Sequence, residues 1–143
     1  MTPKLLDTGR QFIGRVLIGE VTPNYGIYVE YSNKAAVSVP DVDYQYFQQR
    51  AAGTYTGYAR IPVLTSHLTD NGILFTGMLT SEDLQGGKLT KNTVLTTTTL
   101  VNLGAAEAED TFLYTALLKQ PVKVVTGTYI TVSIRLLIGG RND

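Results

Sequence analysis

The sequence predicts an all-β domain, an antiparallel β-sandwich or jelly roll of about seven strands with one short N-terminal helix. Three observations carry that prediction. Short segments of β-branched and aromatic residues, several of them alternating in hydropathy, recur between turn signals over most of the chain. A helical period appears only once, between Leu5 and Ile18. The composition is strand-favouring, with 20 threonines and nine tyrosines and no tryptophan.

The elements follow in order. In Leu5 to Gly19, Asp7 or Thr8 can act as N-cap, Phe12, Ile13, Val16 and Leu17 share a face, and Gly19 suits the position just past the C-terminus, so the helix is placed over about 7–18. Its apolar stripe is expected to pack on the domain's own sheet. Pro23-Asn24 breaks the chain, and Tyr25 to Tyr31 alternates as a strand with Ile27, Val29 and Tyr31 on one side. Ser32-Asn33-Lys34 reads as a turn. Val37 to Val39 ends at Pro40, and Asp41 to Arg50 is a polar, aromatic stretch without a clear period.

Tyr55 to Val63 is the next strand, and Pro62, which has no N–H for a ladder, places it at an edge or a strand end. Asp70-Asn71-Gly72 is a turn that launches the strand Ile73 to Leu79, and Ser81 to Lys88 is a loop. Val94 to Leu103 is a strand whose run of four threonines leaves its register weakly specified. Ala105 to Asp110 is a short acidic connector. Thr111 to Leu118 and Tyr129 to Ile138 are long strands, expected to fold back on each other through Thr126-Gly127, with Ile130, Val132, Ile134 and Leu136 facing the core. No repeat or linker divides the 143 residues, so residues 1–143 form one domain.

Composition also narrows function. Twelve basic and twelve acidic residues cancel, which leaves no broad field to gather nucleic acid or to hold the chain on an anionic membrane. The absence of cysteine removes disulfides, thiolate chemistry and the usual zinc ligand sets. No apolar run approaches the roughly 20 residues of a membrane span, and no signal peptide follows Met1, so a soluble protein made in the cytoplasm is expected.

Candidate chemistry is sparse. His67 is the single histidine, and its neighbour Ser66 would point to the opposite face of a strand, which separates a potential nucleophile from its base. Asp41 with Asp43, or Glu107, Glu109 and Asp110, offer oxygen ligands without the spacing of a calcium loop and read as solvated loop charges. Gly86-Gly87-Lys88 lacks the upstream glycine of a phosphate loop, Glu82 standing in its place, and no helical pattern follows. No catalytic residue, cofactor or metal is expected. Tyr44, Tyr46, Phe47, Tyr55 and Tyr58 could stack on sugars or bases, but no cluster of Lys and Arg accompanies them, so packing or a protein interface is the better reading. Tyr44, Tyr46, Phe47 and Arg50, too polar for a core strand and rich in residue types favoured where proteins meet, are the candidate interface.

Leu6-Asp7-Thr8-Gly9 leading to Ile18-Gly19-Glu20, then Tyr28-Val29-Glu30-Tyr31, then Tyr58-Ala59-Arg60-Ile61-Pro62, together resemble the small virion structural proteins of tailed bacteriophages, in the same order along most of the chain. The resemblance implies a part of the virion rather than a catalyst. A capsid decoration (cement) protein that binds and stabilises the shell is the first expectation, and a tail, fibre-attachment or baseplate component the second. The partners implied are copies of itself, as a homo-oligomer, and other virion proteins, the major capsid protein foremost. A carbohydrate-binding module using the tyrosines is the alternative from another class, and a small hydrolase comes last.

Overall fold

The computed structural model describes residues 4–32, 57–80, 83, 94–123 and 129–137. Among them are one α-helix, α1 (Asp7–Leu17), and eight strands. The strands are β1 (Lys4–Leu5), β2 (Tyr25–Ser32), β3 (Gly57–Pro62), β4 (Thr65–Leu68), β5 (Gly72–Thr80), β6 (Val94–Asn102), β7 (Thr111–Lys123) and β8 (Tyr129–Leu137). They form two antiparallel sheets, one of five strands in the order β1-β7-β6-β2-β3 and one of three in the order β4-β5-β8. One apolar cluster joins the sheets: Ile27, Val29 and Ile61 of the larger meet Phe75, Leu79 and Ile134 of the smaller. The chain is a β-sandwich with one short helix, as its alternation predicts.

α1 begins without a side-chain cap, because the residue before it is Leu6. Thr8, a candidate cap, instead donates its hydroxyl to the Phe112 carbonyl, and Asp7 pairs with Arg10. The far end closes as expected. Gly19 has φ +80°, its N–H donates to the Val16 carbonyl at 3.1 Å, and the Glu20 N–H reaches the Arg15 carbonyl at 2.9 Å, a Schellman ending that glycine permits. Phe12 is buried, whereas Leu17, on the same predicted stripe, is 80% exposed. The helix lies close on β7: a Cβ at Gly9 would stand 2.2 Å from the Leu113 carbonyl oxygen.

β3 and β4 run almost continuously and turn a corner between the sheets. The Val63 N–H donates to the Tyr25 carbonyl on β2 at 3.0 Å, and the next N–H, of Leu64, donates to the Thr76 carbonyl on β5 at 2.8 Å. Pro62 ends β3 at the edge of the larger sheet, where its missing N–H costs no ladder bond. Pairing along β6 is irregular: it shifts against β2 between Glu30 and Tyr31, and against β7 between Leu95 and Thr97 and between Leu100 and Val101. The second slip sets the single residue Thr96 against four on β7, Leu118 to Pro121, and Pro121 cannot donate there.

One expectation about the strands is corrected. The last third does not fold back on itself, because β8 pairs with β5 in the other sheet over nine consecutive residues, from Thr80↔Tyr129 to Gly72↔Leu137. The apolar faces decide this: Ile134 sits opposite Phe75 and Ile130 opposite Leu79, all turned toward the other sheet. Residues 65–68, without an apolar alternation to mark them, form β4, an edge strand with all four residues exposed.

Candidate functional site

The two sheets differ in their outer faces. On the larger sheet the residues pointing away from the sandwich core are nevertheless buried: Tyr28, Glu30, Thr97, Thr99, Val101, Phe112 and Thr115. Tyr28 stacks on Tyr58 with centroids 5.2 Å apart and meets Phe112 edge-on at 5.1 Å. The Thr99 and Thr115 hydroxyls lie 3.0 Å apart.

Asp110 anchors this face. Its Oδ2 accepts from Arg60 Nε at 2.7 Å and from the Tyr28 hydroxyl at 2.5 Å, while Oδ1 accepts from Arg60 Nη2 at 2.9 Å and from the Gly104 N–H at 2.7 Å. Arg60 Nη2 also donates to the Gly104 carbonyl at 3.2 Å, and the Tyr58 hydroxyl to Glu107 at 3.1 Å. Burial by itself would raise the Asp110 carboxyl, but the hydrogen bonds from Arg60, Tyr28 and Gly104 outweigh it and hold the group below its ordinary value. Burial pushes the Tyr28 hydroxyl well up, and the bond to Asp110 and its charge push it further. With four donors on two carboxylate oxygens, Asp110 has no lone pair left to take a proton from a substrate. The cluster ties the connector before β7 onto β2 and β3.

Asp110 was expected as a solvated loop charge, and this is corrected: its side chain is fully buried. The signal lay outside its own run of acidic residues, in an arginine 50 residues away at an outward position of an alternating strand. Glu109 is exposed, as a solvated charge should be. Tyr58, a candidate for stacking on sugars or bases, uses its ring on Tyr28 and its hydroxyl on Glu107. His67 and Ser66 stand on β4 opposite Leu74 and Phe75, on opposite faces of the sheet, and do not form a catalytic pair. Among the described residues no group of three or more His, Asp or Glu is placed to hold a metal ion. Tyr44, Tyr46, Phe47 and Arg50 lie outside the described residues, as do Asp41, Asp43, Tyr55 and Gly86-Gly87-Lys88.

An apolar cavity of about 360 Å³ lies between α1 and the two sheets, walled by Phe12, Val16, Tyr25, Phe75, Leu113 and Leu136 among others. Tyr25 forms its aromatic corner, edge-on to Phe75 at 4.9 Å and to Phe12 at 6.4 Å, and burial pushes its hydroxyl up. Leu17 lines the cavity while remaining largely in solvent, so the helix closes it incompletely.

The smaller sheet is open on its outer side. Thr65 and His67 on β4, Met78 on β5, and Tyr129, Thr131, Ser133 and Arg135 on β8 are all exposed. Tyr129 is 72% and Met78 44% exposed, on adjacent strands of one face. Ser133 and Thr76 hydroxyls, 3.3 Å apart, join the strands between them.

No protein-family model, curated protein or solved structure matches this chain.

The outer face of the smaller sheet therefore stands on its geometry alone. It is a surface mainly of hydroxyls and methyls, with one arginine and one histidine, and with aromatic and thioether side chains at one end. Such a surface suits contact with another protein, where tyrosine, methionine and arginine are favoured.

Proposed function

We propose that the chain is a non-enzymatic structural subunit of a bacteriophage virion, and in the first place a capsid decoration protein that binds the assembled shell and copies of itself. The observation that carries this reading is the contrast between the faces: the central strands β2 and β6 of the five-stranded sheet are buried on both sides, and the three-stranded sheet presents an open face. A compact domain repeated by symmetry turns modest contacts of such a face into a durable assembly. The resemblance of the Leu6–Glu20, Tyr28–Tyr31 and Tyr58–Pro62 segments to small virion proteins supplies the kind of assembly. Tyr58 is engaged within the fold, which takes from the carbohydrate-binding alternative one of its stacking residues.

The test is protein composition of purified particles from the phage that carries the gene. A decoration protein is present in fixed ratio to the major capsid protein, and shells lacking it lose heat resistance that the purified chain restores. A few copies per particle, retained with isolated tails, mark the tail-associated form. Particles without the chain reject the structural role.

A further inference from the structure

Among the described residues the two sheets end in four edge strands, β1, β3, β4 and β8, and the first three are short, with β3 ending in Pro62. β3 and β4 meet at the corner, where Val63 and Leu64 spend their N–H groups on β2 and β5. β1 is two residues long and covers β7 only at Tyr114 and Thr115, and next to it the Leu6 N–H and Thr8 hydroxyl occupy the Leu113 and Phe112 carbonyls. The far half of β7 carries Pro121 and the irregular register. β8 has none of these devices. It is nine residues long, regular against β5 throughout, free of proline and lysine, and among the described residues hydrogen-bonded to β5 alone. A long regular edge of this kind is a template for another strand, and proteins that stay apart blunt it.

We infer that β8 pairs with β8 of a second copy, antiparallel about a two-fold axis at Ser133, joining two three-stranded sheets into one of six. This rests on the reading of the chain as a subunit of an assembly and names one of its partners. The sequence of the strand selects both partner and register. Opposite residues must both face inward or both outward, so only registers centred on a residue are allowed. Centring on Ser133 alone pairs all nine. Val132 then faces Ile134 of the second copy and Ile130 faces Leu136, continuing the apolar inner layer across the axis. On the outer side Thr131 faces Arg135 and Ser133 faces itself. No like charges meet, since Arg135 is the single charged residue of the strand. Self-complementarity of this kind is what a two-fold interface requires.

The chain lacks cysteine, which makes the geometry directly readable. Ser133→Cys should cross-link into a disulfide dimer under mild oxidation, because residues facing each other across a two-fold lie within disulfide reach. Thr76→Cys, on the same outer face but on the interior strand β5, should not. Wild-type protein should sediment as a dimer. Ser133→Lys places two ammonium groups face to face at an exposed position, leaves the melting of the domain intact and weakens association by about tenfold or more. An equimolar mixture of Ser133→Lys and Ser133→Glu should restore it. A monomeric wild type, a Ser133→Lys variant that still dimerises, or equal cross-linking by the two cysteine variants each overturns the pairing. A monomeric wild type that nonetheless joins particles rejects the pairing and keeps the structural role, whereas a dimer through β8 that joins no particle supports the pairing and removes that role.

Discussion

The two sheets share one apolar core but differ in the burial of their outer sides. In the five-stranded sheet both sides of β2 and β6 are buried, down to Glu30 and the threonines, and Asp110 locks the outer side with four donated hydrogen bonds. In the three-stranded sheet the buried side chains lie on the inner side, and the outer side is exposed or half-exposed. The difference teaches that charge and hydroxyl content do not tell an inner surface from an outer one. Thr97 and Thr99 are buried on the outer side of their sheet, Thr131 and Ser133 are exposed on the outer side of theirs, and the distinction is made by what lies over each sheet.

The comparison breaks first at Asp110. Asp110→Ala leaves Arg60 facing an empty site and the Tyr28 hydroxyl without its acceptor, and should cost about 3–5 kcal/mol, nearer the lower figure because the Arg60 side chain keeps 27% exposure. Denaturant unfolding measures this, and a loss below about 0.5 kcal/mol, the scale of surface changes, would mean that the outer face of the larger sheet is ordinary surface. The same carboxyl sets a pH dependence. Its folded value lies below the unfolded one, so its contribution is present in full above about pH 4 and is lost as the pH falls through the folded value. Asp110→Asn should flatten that acid limb of the melting temperature.

Within the smaller sheet, Ile134→Ala should cost about 2–4 kcal/mol, in the lower part of the large-to-small range because an edge strand can close in on the space left. At the cavity, Val16→Ile adds one methylene where room exists and should stabilise by about 0.8 kcal/mol, read as a rise in melting temperature. Smallest of all, Arg135→Ala and His67→Ala on the open face should each change stability by less than about 0.5 kcal/mol. A large loss for either would show that this face is covered within the domain.

The strand and helix pattern was legible because burial of one face imposes a period, and β2, β5 and β8 carry it plainly in Ile27-Val29-Tyr31, Phe75-Leu79 and Val132-Ile134-Leu136. Pro62 and Gly19 were legible for steric reasons that act within one or two residues. β4 was not, since an exposed edge strand selects no apolar alternation. The sheet that β8 joins was not legible either, because local turn chemistry at Thr126-Gly127 says nothing of which distant strand offers the matching face. The Arg60–Asp110 pair escaped because neither residue marks a partner 50 positions away. The aromatic segment from Asp41 to Arg50, the leading interface candidate from sequence, lies outside the described residues, and among the described residues the open face of the smaller sheet is the surface that geometry favours.

The proposed division of labour between the sheets is tested most directly by amide hydrogen exchange, followed on dilute protein and on the assembled form. The slowest amides should lie in β2 and β6 in both states, and alternate amides of β8, from Tyr129 to Leu137, should exchange fast in dilute protein and become protected on assembly. Protection gained in β2, β6 or β7 on assembly, with β8 unchanged, would contradict the assignment of scaffold to the larger sheet and contact to the smaller.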